Sequence, residues 1–274
     1  MTLVCLHGFT GSPTSWDPVL AALRAQGARP LRVLTPTVVG HEGAAATLME
    51  GGHTQVAPVA HDSAPASPPT ATSFEDEVDR IARGLPRGTL HLLGYSLGAR
   101  LALGLAVRHR VRFESITLVG VHPGLVDPAE RSARAAADDA LADDLERGGL
   151  AAFVARWEAL PMWASQRRLD PAVLAVQRAQ RLQQDPARLA AALRVLSLGR
   201  MPSYVDALPT LDLPVTLVVG HADAPFRPRA AAMQERLPLG RVIVVGDDAN
   251  PIGHNVPLEA PRELARVLSE TVDV

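Results

Sequence analysis

The chain of 274 residues contains no lysine, so all 27 of its lysine-or-arginine positions are arginines. This absence excludes Schiff-base chemistry and a phosphate-binding loop of the G-K-[ST] type, because both require a lysine amine. Cys5 is the single cysteine, so the chain can form neither an internal disulfide nor a cysteine-based zinc site. Since Cys5 lies in an apolar run, we expect its thiol to be buried and inert.

Long apolar runs and a large excess of one charge are also missing. No stretch reaches the length of a membrane span, and no basic region precedes an apolar core at the N-terminus. The formal net charge of −2 gives no reason to expect nucleic acid or an anionic membrane as a partner. We therefore expect a soluble cytoplasmic protein that binds a small molecule, with its oligomeric state left open.

The most informative stretch of the chain is Gly94-Tyr95-Ser96-Leu97-Gly98. It follows a short apolar run of strand length, Thr89–Leu93, and the apolar residues from Leu97 onward recur at helical spacing. A G-x-S-x-G pattern between a strand and a helix predicts a nucleophile elbow, in which Ser96 sits at the apex of a strained turn. The free N–H groups of the following helix would favour negative charge there. We therefore predict that Ser96 is the catalytic serine.

A glycine-rich turn follows the apolar segment Thr2–Leu6, which we predict to be a strand. The turn reads His7-Gly8-Phe9-Thr10-Gly11-Ser12. Beside a nucleophile elbow, such a turn supplies half of an oxyanion hole, so we predict that the backbone N–H groups of Phe9 and Leu97 hold a developing oxyanion. We expect His7 to be structural and to fix this turn.

An acid and a histidine complete the predicted catalytic set. Asp223 follows one strand-like apolar run by a short turn, and His254 follows the next, so both should lie at the carboxyl edge of the sheet beside Ser96. His254 would take the proton of Ser96, and Asp223 would orient the imidazole. Asp247 and Asp248 remain alternatives to Asp223, because they also precede His254.

Strand-like runs that alternate with helical patterns predict an α/β fold with a mostly parallel sheet flanked by helices. Between two of these strands, residues 122–205 show helical spacing and no strand-like run. We predict that they form a helical cap over the site, and that residues 1–121 and 206–274 form the core. Trp157 and Trp163 in the cap should line the pocket or pack beside it.

Residues 36–72 show little periodicity and are rich in Pro, Ala, Ser, Thr and Gly, with a segment from Pro65 to Thr72 that is typical of a flexible loop. His41, His53 and His61 occur here. Their separations fit no compact ligand motif, and no carboxylate cluster accompanies them, so we predict no metal site. We also predict no cofactor.

Several motifs together resemble those of one enzyme family. The chain is similar to the α/β-hydrolase superfamily and, within it, to the 2-succinyl-6-hydroxy-2,4-cyclohexadiene-1-carboxylate synthases of menaquinone biosynthesis. The matching motifs cover nearly the whole chain apart from residues 41–72, and they are Leu6–Ser12, Gly94–Arg100, His122–Leu125 with Glu130, Arg131 and Arg134, then Phe153, Trp157, Pro161, Trp163, Arg181, Asp223 with Phe226, and Gly253–Asn255 with Leu258 and Glu259.

The resemblance implies an α/β-hydrolase fold and a lyase that eliminates pyruvate from a substrate with several carboxylates. In that family the serine acts as a base on carbon. The residues that the resemblance places at the substrate are Tyr95, Arg100, Arg131, Trp157 and Arg181. Arginine suits such a ligand, because a guanidinium binds a carboxylate bidentately. Arg100 is also one helical turn from Ser96.

Three departures from the family pattern keep other functions open. Pro225 stands where the family often has a lysine, residues 247–252 are longer and more polar than the family's segment, and residues 41–72 are long for the family. The main alternative is a carboxylesterase that works through an acyl-enzyme. A non-catalytic member of the fold is a third possibility, which the intact Ser96, Asp223 and His254 argue against.

Overall fold

The computed structural model describes residues 1–27, 31–41, 47–50, 53–56 and 71–272, and for 47–50 and 53–56 the description is limited to the backbone. The predicted flexible segment from Pro65 lies largely outside these residues, as do His61 and the side chain of His53. None of the helices within the described ranges is both long and apolar enough to cross a membrane.

A parallel sheet of six strands forms the centre of the molecule, with the order β2-β1-β5-β6-β7-β8. The two remaining described strands, β3 and β4, pair antiparallel with each other. The strands are β1 (Thr2–Leu6), β2 (Arg32–Leu34), β3 (Thr47–Glu50), β4 (His53–Val56), β5 (Leu90–Tyr95), β6 (Phe113–Val119), β7 (Val215–Gly220) and β8 (Gly240–Val245). The predicted α/β fold with a parallel sheet is confirmed.

Helices connect the strands of this sheet. They are α1 (Asp17–Ala25), α2 (Phe74–Gly84), α3 (Leu97–Arg108), α4 (Pro128–Glu158), α5 (Pro171–Arg181), α6 (Pro186–Val195), α7 (Arg227–Gln234), α8 (Val256–Glu259) and α9 (Pro261–Val272). Short 3₁₀ helices occur between them, among them Pro161–Arg168 after α4.

Each face of the sheet is covered by its own apolar cluster. Successive side chains of a strand point to opposite faces, and β1 follows this rule: Val4 and Leu6 join one cluster, whereas Leu3 and Cys5 join the other. The first cluster includes the buried faces of α2 and α3, and the second those of α1 and α9. Cys5 is buried, and burial raises the pKa of its thiol, as expected for an inert side chain.

Residues 122–205, all of which the structure describes, contain helices and no strand. Helices α4 and α6 pack around a separate apolar cluster that includes Phe153, Leu145 and Leu189. Within α4, Gly149 adopts a φ of 76° and ψ of 164°, so the chain kinks there before it continues to the 3₁₀ segment. We refer to residues 122–205 as the cap segment.

Candidate active site

Ser96 lies between β5 and α3 in a conformation that few residues adopt. Its φ is 53° and its ψ is −109°, and its N–H donates to the carbonyl of Val119 at 2.9 Å. Gly98 is required beside it, because a Cβ there would lie 2.0 Å from the carbonyl oxygen of Leu6. A Cβ on Gly94 would lie 2.5 Å from the carbonyl oxygen of Gly98. The two glycines therefore let α3 start directly against β1 and β5, with Ser96 at the apex.

The side chains of Ser96, His254 and Asp223 form one hydrogen-bonded series. Nδ1 of His254 lies 2.7 Å from Oδ2 of Asp223, and its Nε2 lies 3.0 Å from Oγ of Ser96. If Nδ1 carries the proton and donates to the carboxylate, Nε2 is free to accept from the hydroxyl. Asp223 and His254 are both buried.

Glycine at position 120 makes room for the imidazole of His254. Gly120 has a φ of 59°, and a Cβ on it would lie 2.6 Å from Cε1 of the ring. The other two candidate acids do not occupy the position of Asp223. Asp248 is fully exposed and lies 3.7 Å from His221, and Asp247 accepts the N–H of Asn250.

The turn after β1 faces the serine. The backbone N–H groups of Phe9 and Leu97 hydrogen bond to none of the residues that the structure describes. Leu97 is the first residue of α3, where a helix leaves its N–H groups without an internal partner. These two donors are therefore free to bind an external oxygen, as the sequence predicts for an oxyanion hole.

Two buried histidines fix this turn. Nδ1 of His7 pairs with the carbonyl of Gly8 at 3.0 Å, and its Nε2 accepts the N–H of Val38 at 3.3 Å. Nε2 of His41 accepts the N–H of Thr10 at 3.2 Å. Burial lowers the pKa of His7 to about 4 and the pKa of His41 to about 3. Both rings are therefore neutral supports of the loop, which agrees with the expected structural role of His7.

Because His7 and His41 are neutral in the folded protein, we expect the free energy of unfolding to decrease in acid. A histidine in the unfolded chain has a pKa near 6.5, so between about pH 6.5 and pH 4 the unfolded state binds protons that folded His7 and His41 do not. Their contribution to the free energy of unfolding should be complete above about pH 6.5 and decline below it. Urea unfolding across this range measures the slope. A variant with both residues changed to glutamine should show a shallower slope, and an unchanged slope would contradict the assignment.

A cavity of about 740 Å³, which we call the Ser96 cavity, lies between the sheet edge and the cap segment. Ser96 and His254 open into it, and so do three guanidinium groups, those of Arg100, Arg134 and Arg229. Arg134 is paired with Asp138 at 2.9 Å. Arg100 and Arg229 have no carboxylate partner in the described part of the chain and donate to the carbonyls of Leu196 and Pro225, respectively. These two guanidinium groups are therefore available to bind an anionic ligand.

Of the arginines predicted to bind substrate, Arg100 alone lines this cavity. Burial lowers the pKa of Arg100 to about 10, and neighbouring Arg134 acts in the same direction, since each positive charge disfavours the other. Arg131 is turned away from the cavity and donates to the carbonyls of Leu125 and Met201. It connects the start of α4 to the end of the cap segment.

Arg181 lies in a neighbouring cavity of about 410 Å³. Its guanidinium is buried, lies 5.7 Å from the ring centre of Trp163 and is paired with Glu158 at 3.1 Å. Burial lowers its pKa. Tyr95 and Trp163 line both cavities and thus belong to the wall between them.

Aromatic rings form the apolar side of the Ser96 cavity. Trp157 lines it and lies 5.3 Å from the ring of Phe9 and 5.9 Å from that of Trp163. Tyr95 lies 5.5 Å from the ring of His254, and its hydroxyl has no hydrogen-bond partner within the described ranges. The structure thus brings both tryptophans and Tyr95 to the site.

The cavity also contains residues that the sequence reasoning did not assign to the site, above all Arg134, Arg229 and His122. Arg134 appears in the cap motif, but only the packing of α4 shows that it, rather than Arg131, faces the serine. The sequence position of Arg229 could have suggested a place at the site, since it lies in the first turn of the helix that follows Asp223. No group of three or more histidine, cysteine, aspartate or glutamate side chains in the described residues is arranged to hold a metal ion.

Comparison with known proteins gives matches over nearly the whole chain. The model of the alpha/beta hydrolase family matches residues 3–267. The 2-succinyl-6-hydroxy-2,4-cyclohexadiene-1-carboxylate synthase of Pectobacterium atrosepticum is 32% identical over 253 residues, which are 90% of this chain and 87% of that protein.

Solved structures give the same picture. The structure of MenH from S. aureus has a TM-score of 0.84 and 25% identity, and covers 100% of this chain and 93% of that one. A thermophilic esterase from Thermogutta terrifontis, solved with malate bound, has a TM-score of 0.73 and 24% identity over 100% of this chain and 89% of its own. At that identity the esterase indicates a shared fold alone.

Proposed function

The chain belongs to the alpha/beta hydrolase family and is an enzyme, and we propose that it is a lyase that eliminates pyruvate from a carboxylated cyclohexene intermediate of menaquinone biosynthesis. The observation that carries this proposal is the cationic lining of the Ser96 cavity, where Arg100 and Arg229 lack carboxylate partners among the described residues. Unpaired guanidinium groups near a reacting serine suit a substrate with several carboxylates. Similarity to the Pectobacterium synthase supports the reaction class.

The proposed reaction starts with a proton transfer. Nε2 of His254 takes the proton of the Ser96 hydroxyl, 3.0 Å away, and Asp223 stabilises the imidazolium that forms. The Ser96 oxygen then removes a proton from a ring carbon of the substrate. The electron pair of that C–H bond forms a new ring double bond, and the C–O bond to the leaving group breaks.

The leaving group departs as the enolate of pyruvate. The imidazolium of His254 compensates its charge and transfers to it the proton taken from Ser96, while the Ser96 hydroxyl is restored by the proton taken from the substrate. The free N–H groups of Phe9 and Leu97 can bind a substrate oxygen that gains negative charge during the elimination. Arg100 and Arg229 hold the carboxylates and thereby place the acidic C–H bond at Ser96. No metal or cofactor is needed for these steps.

A carboxylesterase is the second candidate, and one observation favours it. The same pair of free N–H groups next to Ser96 and His254 would also stabilise the tetrahedral intermediate of ester hydrolysis. In that case Ser96 would attack a carbonyl carbon and form an acyl-enzyme. The two candidates thus share Ser96, Asp223 and His254. They differ in what the serine does: it removes a proton from a ring carbon in the lyase and attacks a carbonyl carbon in the esterase.

The decisive experiment incubates the enzyme with the menaquinone intermediate and, in parallel, with a p-nitrophenyl ester. Release of pyruvate is followed in the first reaction and release of nitrophenol in the second. The lyase proposal requires pyruvate release that depends on enzyme concentration and far exceeds the turnover of the ester. Nitrophenol release without pyruvate would leave the esterase as the better assignment.

Replacing Arg100 with alanine tests the role of the cations. A charge-assisted hydrogen bond contributes about 1.5–3 kcal/mol, so we expect kcat/KM for the carboxylated intermediate to fall about 10- to 150-fold. Hydrolysis of a neutral short-chain ester should be unchanged or improved. Steady-state kinetics with both substrates measures the difference.

Arg131→Ala is the matched control, because it also removes a guanidinium but one that binds the carbonyls of Leu125 and Met201 rather than lining the cavity. It should lower the melting temperature and leave kcat/KM within about threefold of wild type, since it leaves two acceptors without their donor. Equal losses of kcat/KM in the Arg100 and Arg131 variants would mean that the guanidinium groups of the cavity do not bind the substrate.

A further inference from the structure

His122 occupies the Ser96 cavity without a part in the proton transfers described above. It follows β6, whose carboxyl end also contacts the elbow through the carbonyl of Val119. Its ring lines the cavity together with Ser96 and His254. The hydrogen bonds and charges around this ring define which atom it presents and in which protonation state.

The orientation of the ring is fixed on one side. Nδ1 of His122 accepts the N–H of Gly124 at 3.1 Å. Position 124 accommodates only glycine in this conformation, because its φ is 105° and a Cβ on it would lie 2.6 Å from Cα of Ser203. A ring nitrogen that accepts a hydrogen bond carries no proton, so the proton of the neutral ring resides on Nε2. Nε2 hydrogen bonds to no other residue in the described part of the chain and is an available donor.

Burial, together with the charged groups of the cavity, keeps this ring neutral. Three guanidinium groups face it from three helices: Arg100 from α3, Arg134 from α4 and Arg229 from α7. Burial lowers the pKa of His122 to about 4, and the three arginines act in the same direction. The remaining charged or titratable groups that line the cavity are Tyr95, Glu130, Asp138 and His254.

We propose that His122 is a specificity-determining residue whose Nε2–H donates a hydrogen bond to an oxygen atom of the anionic substrate. This inference rests on the proposed function, which supplies a substrate with carboxylate oxygens. A fourth cation in this cavity would add repulsion among the guanidinium groups, whereas a neutral donor adds a directed contact without charge. The residue would therefore select substrates that place an acceptor oxygen opposite the end of β6, beside the oxygens bound by Arg100 and Arg229.

Two variants separate the donor from the structural role of the ring. In His122→Asn, the side-chain oxygen can still accept the N–H of Gly124, but no group reaches the position of Nε2. In His122→Gln, the longer side chain can place an amide N–H near that position. We expect kcat/KM for pyruvate release to fall about 10- to 100-fold in the asparagine variant, as for loss of a hydrogen bond to a charged group, and to recover most of this loss in the glutamine variant.

Two further readouts distinguish the proposed neutral donor: the pH dependence tests for a charged group, and the hydrolysis of a neutral ester tests for a merely structural role. The ratio of wild-type to His122→Asn kcat/KM should be constant between about pH 6 and 9, because a neutral donor does not titrate there. Hydrolysis of a neutral p-nitrophenyl ester should be equal in the two proteins. A His122→Asn enzyme with wild-type kcat/KM, or one that loses ester hydrolysis to the same extent, would overturn the inference. A wild type that releases no pyruvate would overturn the proposed function, and this inference with it.

Discussion

Replacing Ser96 with alanine should lower kcat for the true substrate by about 10⁴- to 10⁶-fold, because the hydroxyl is the group that exchanges its proton with His254 in either candidate reaction. The fold should persist, since alanine retains the Cβ of serine and adds no bulk at the backbone angles of the elbow. Single-turnover and steady-state measurements with the menaquinone intermediate would determine the loss. Thermal unfolding would establish that the variant is folded.

Ser269→Ala is a suitable control, because it also removes one hydroxyl, which in wild type donates to the carbonyl of Ala265 within α9. Its kcat should equal that of wild type. Near wild-type turnover in the Ser96 variant would remove the serine from the mechanism. The arginines would then bind a substrate whose chemistry is carried by other groups.

The sequence predicts the strand-turn-helix arrangement of this site well, because the responsible signals are local. Gly94 and Gly98 flank Ser96 at the places where a Cβ would collide with backbone, so the motif itself encodes the close approach. Asp223 and His254 follow β7 and β8, and the carboxyl ends of neighbouring parallel strands meet at one sheet edge. Adjacent strand ends therefore suffice to predict that these side chains lie together.

The lining of the cavity depends on tertiary packing that no local pattern encodes. Arg131 and Arg134 are one turn apart on α4, yet one binds carbonyls at the end of the cap segment and the other opens into the Ser96 cavity. Which of them faces the serine depends on how α4 crosses the sheet edge, and helical spacing does not specify that crossing. Arg181, at the end of α5, forms an ion pair with Glu158, at the end of α4, and this contact also depends on how the helices pack.

Short elements are the other part that the sequence does not reveal. Strands β3 and β4 lie within residues 41–72, where the sequence predicts no regular structure. Each has only four residues, so an alternating pattern has too few positions to stand out from a loop. The four-residue helix α8, directly after His254 and Asn255, is missed for the same reason.

Asp223→Asn should lower kcat by about 10⁴-fold, even though it removes no atom of the reacting pair. The carboxylate accepts from Nδ1 of His254 at 2.7 Å and thereby keeps the proton off Nε2, which must be free to accept from Ser96. An asparagine can present its amide N–H to Nδ1 instead, which stabilises the tautomer with the proton on Nε2. The imidazole would then remain in place but could not act as a base. Steady-state kinetics measures the loss.

Asp248→Asn and Asp247→Asn are the matched controls. Each makes the same chemical change at an aspartate that lies shortly before His254 in the chain. Asp248 is fully exposed beside His221, and Asp247 caps a local turn through the N–H of Asn250. Neither contact involves His254, so both variants should retain wild-type kcat. If either matched the loss in Asp223→Asn, the segment of residues 247–252 would have to move onto His254 during the reaction. Wild-type activity in Asp223→Asn itself would show that His254 needs no carboxylate to hold its tautomer, and the burial of Asp223 would then require a structural explanation.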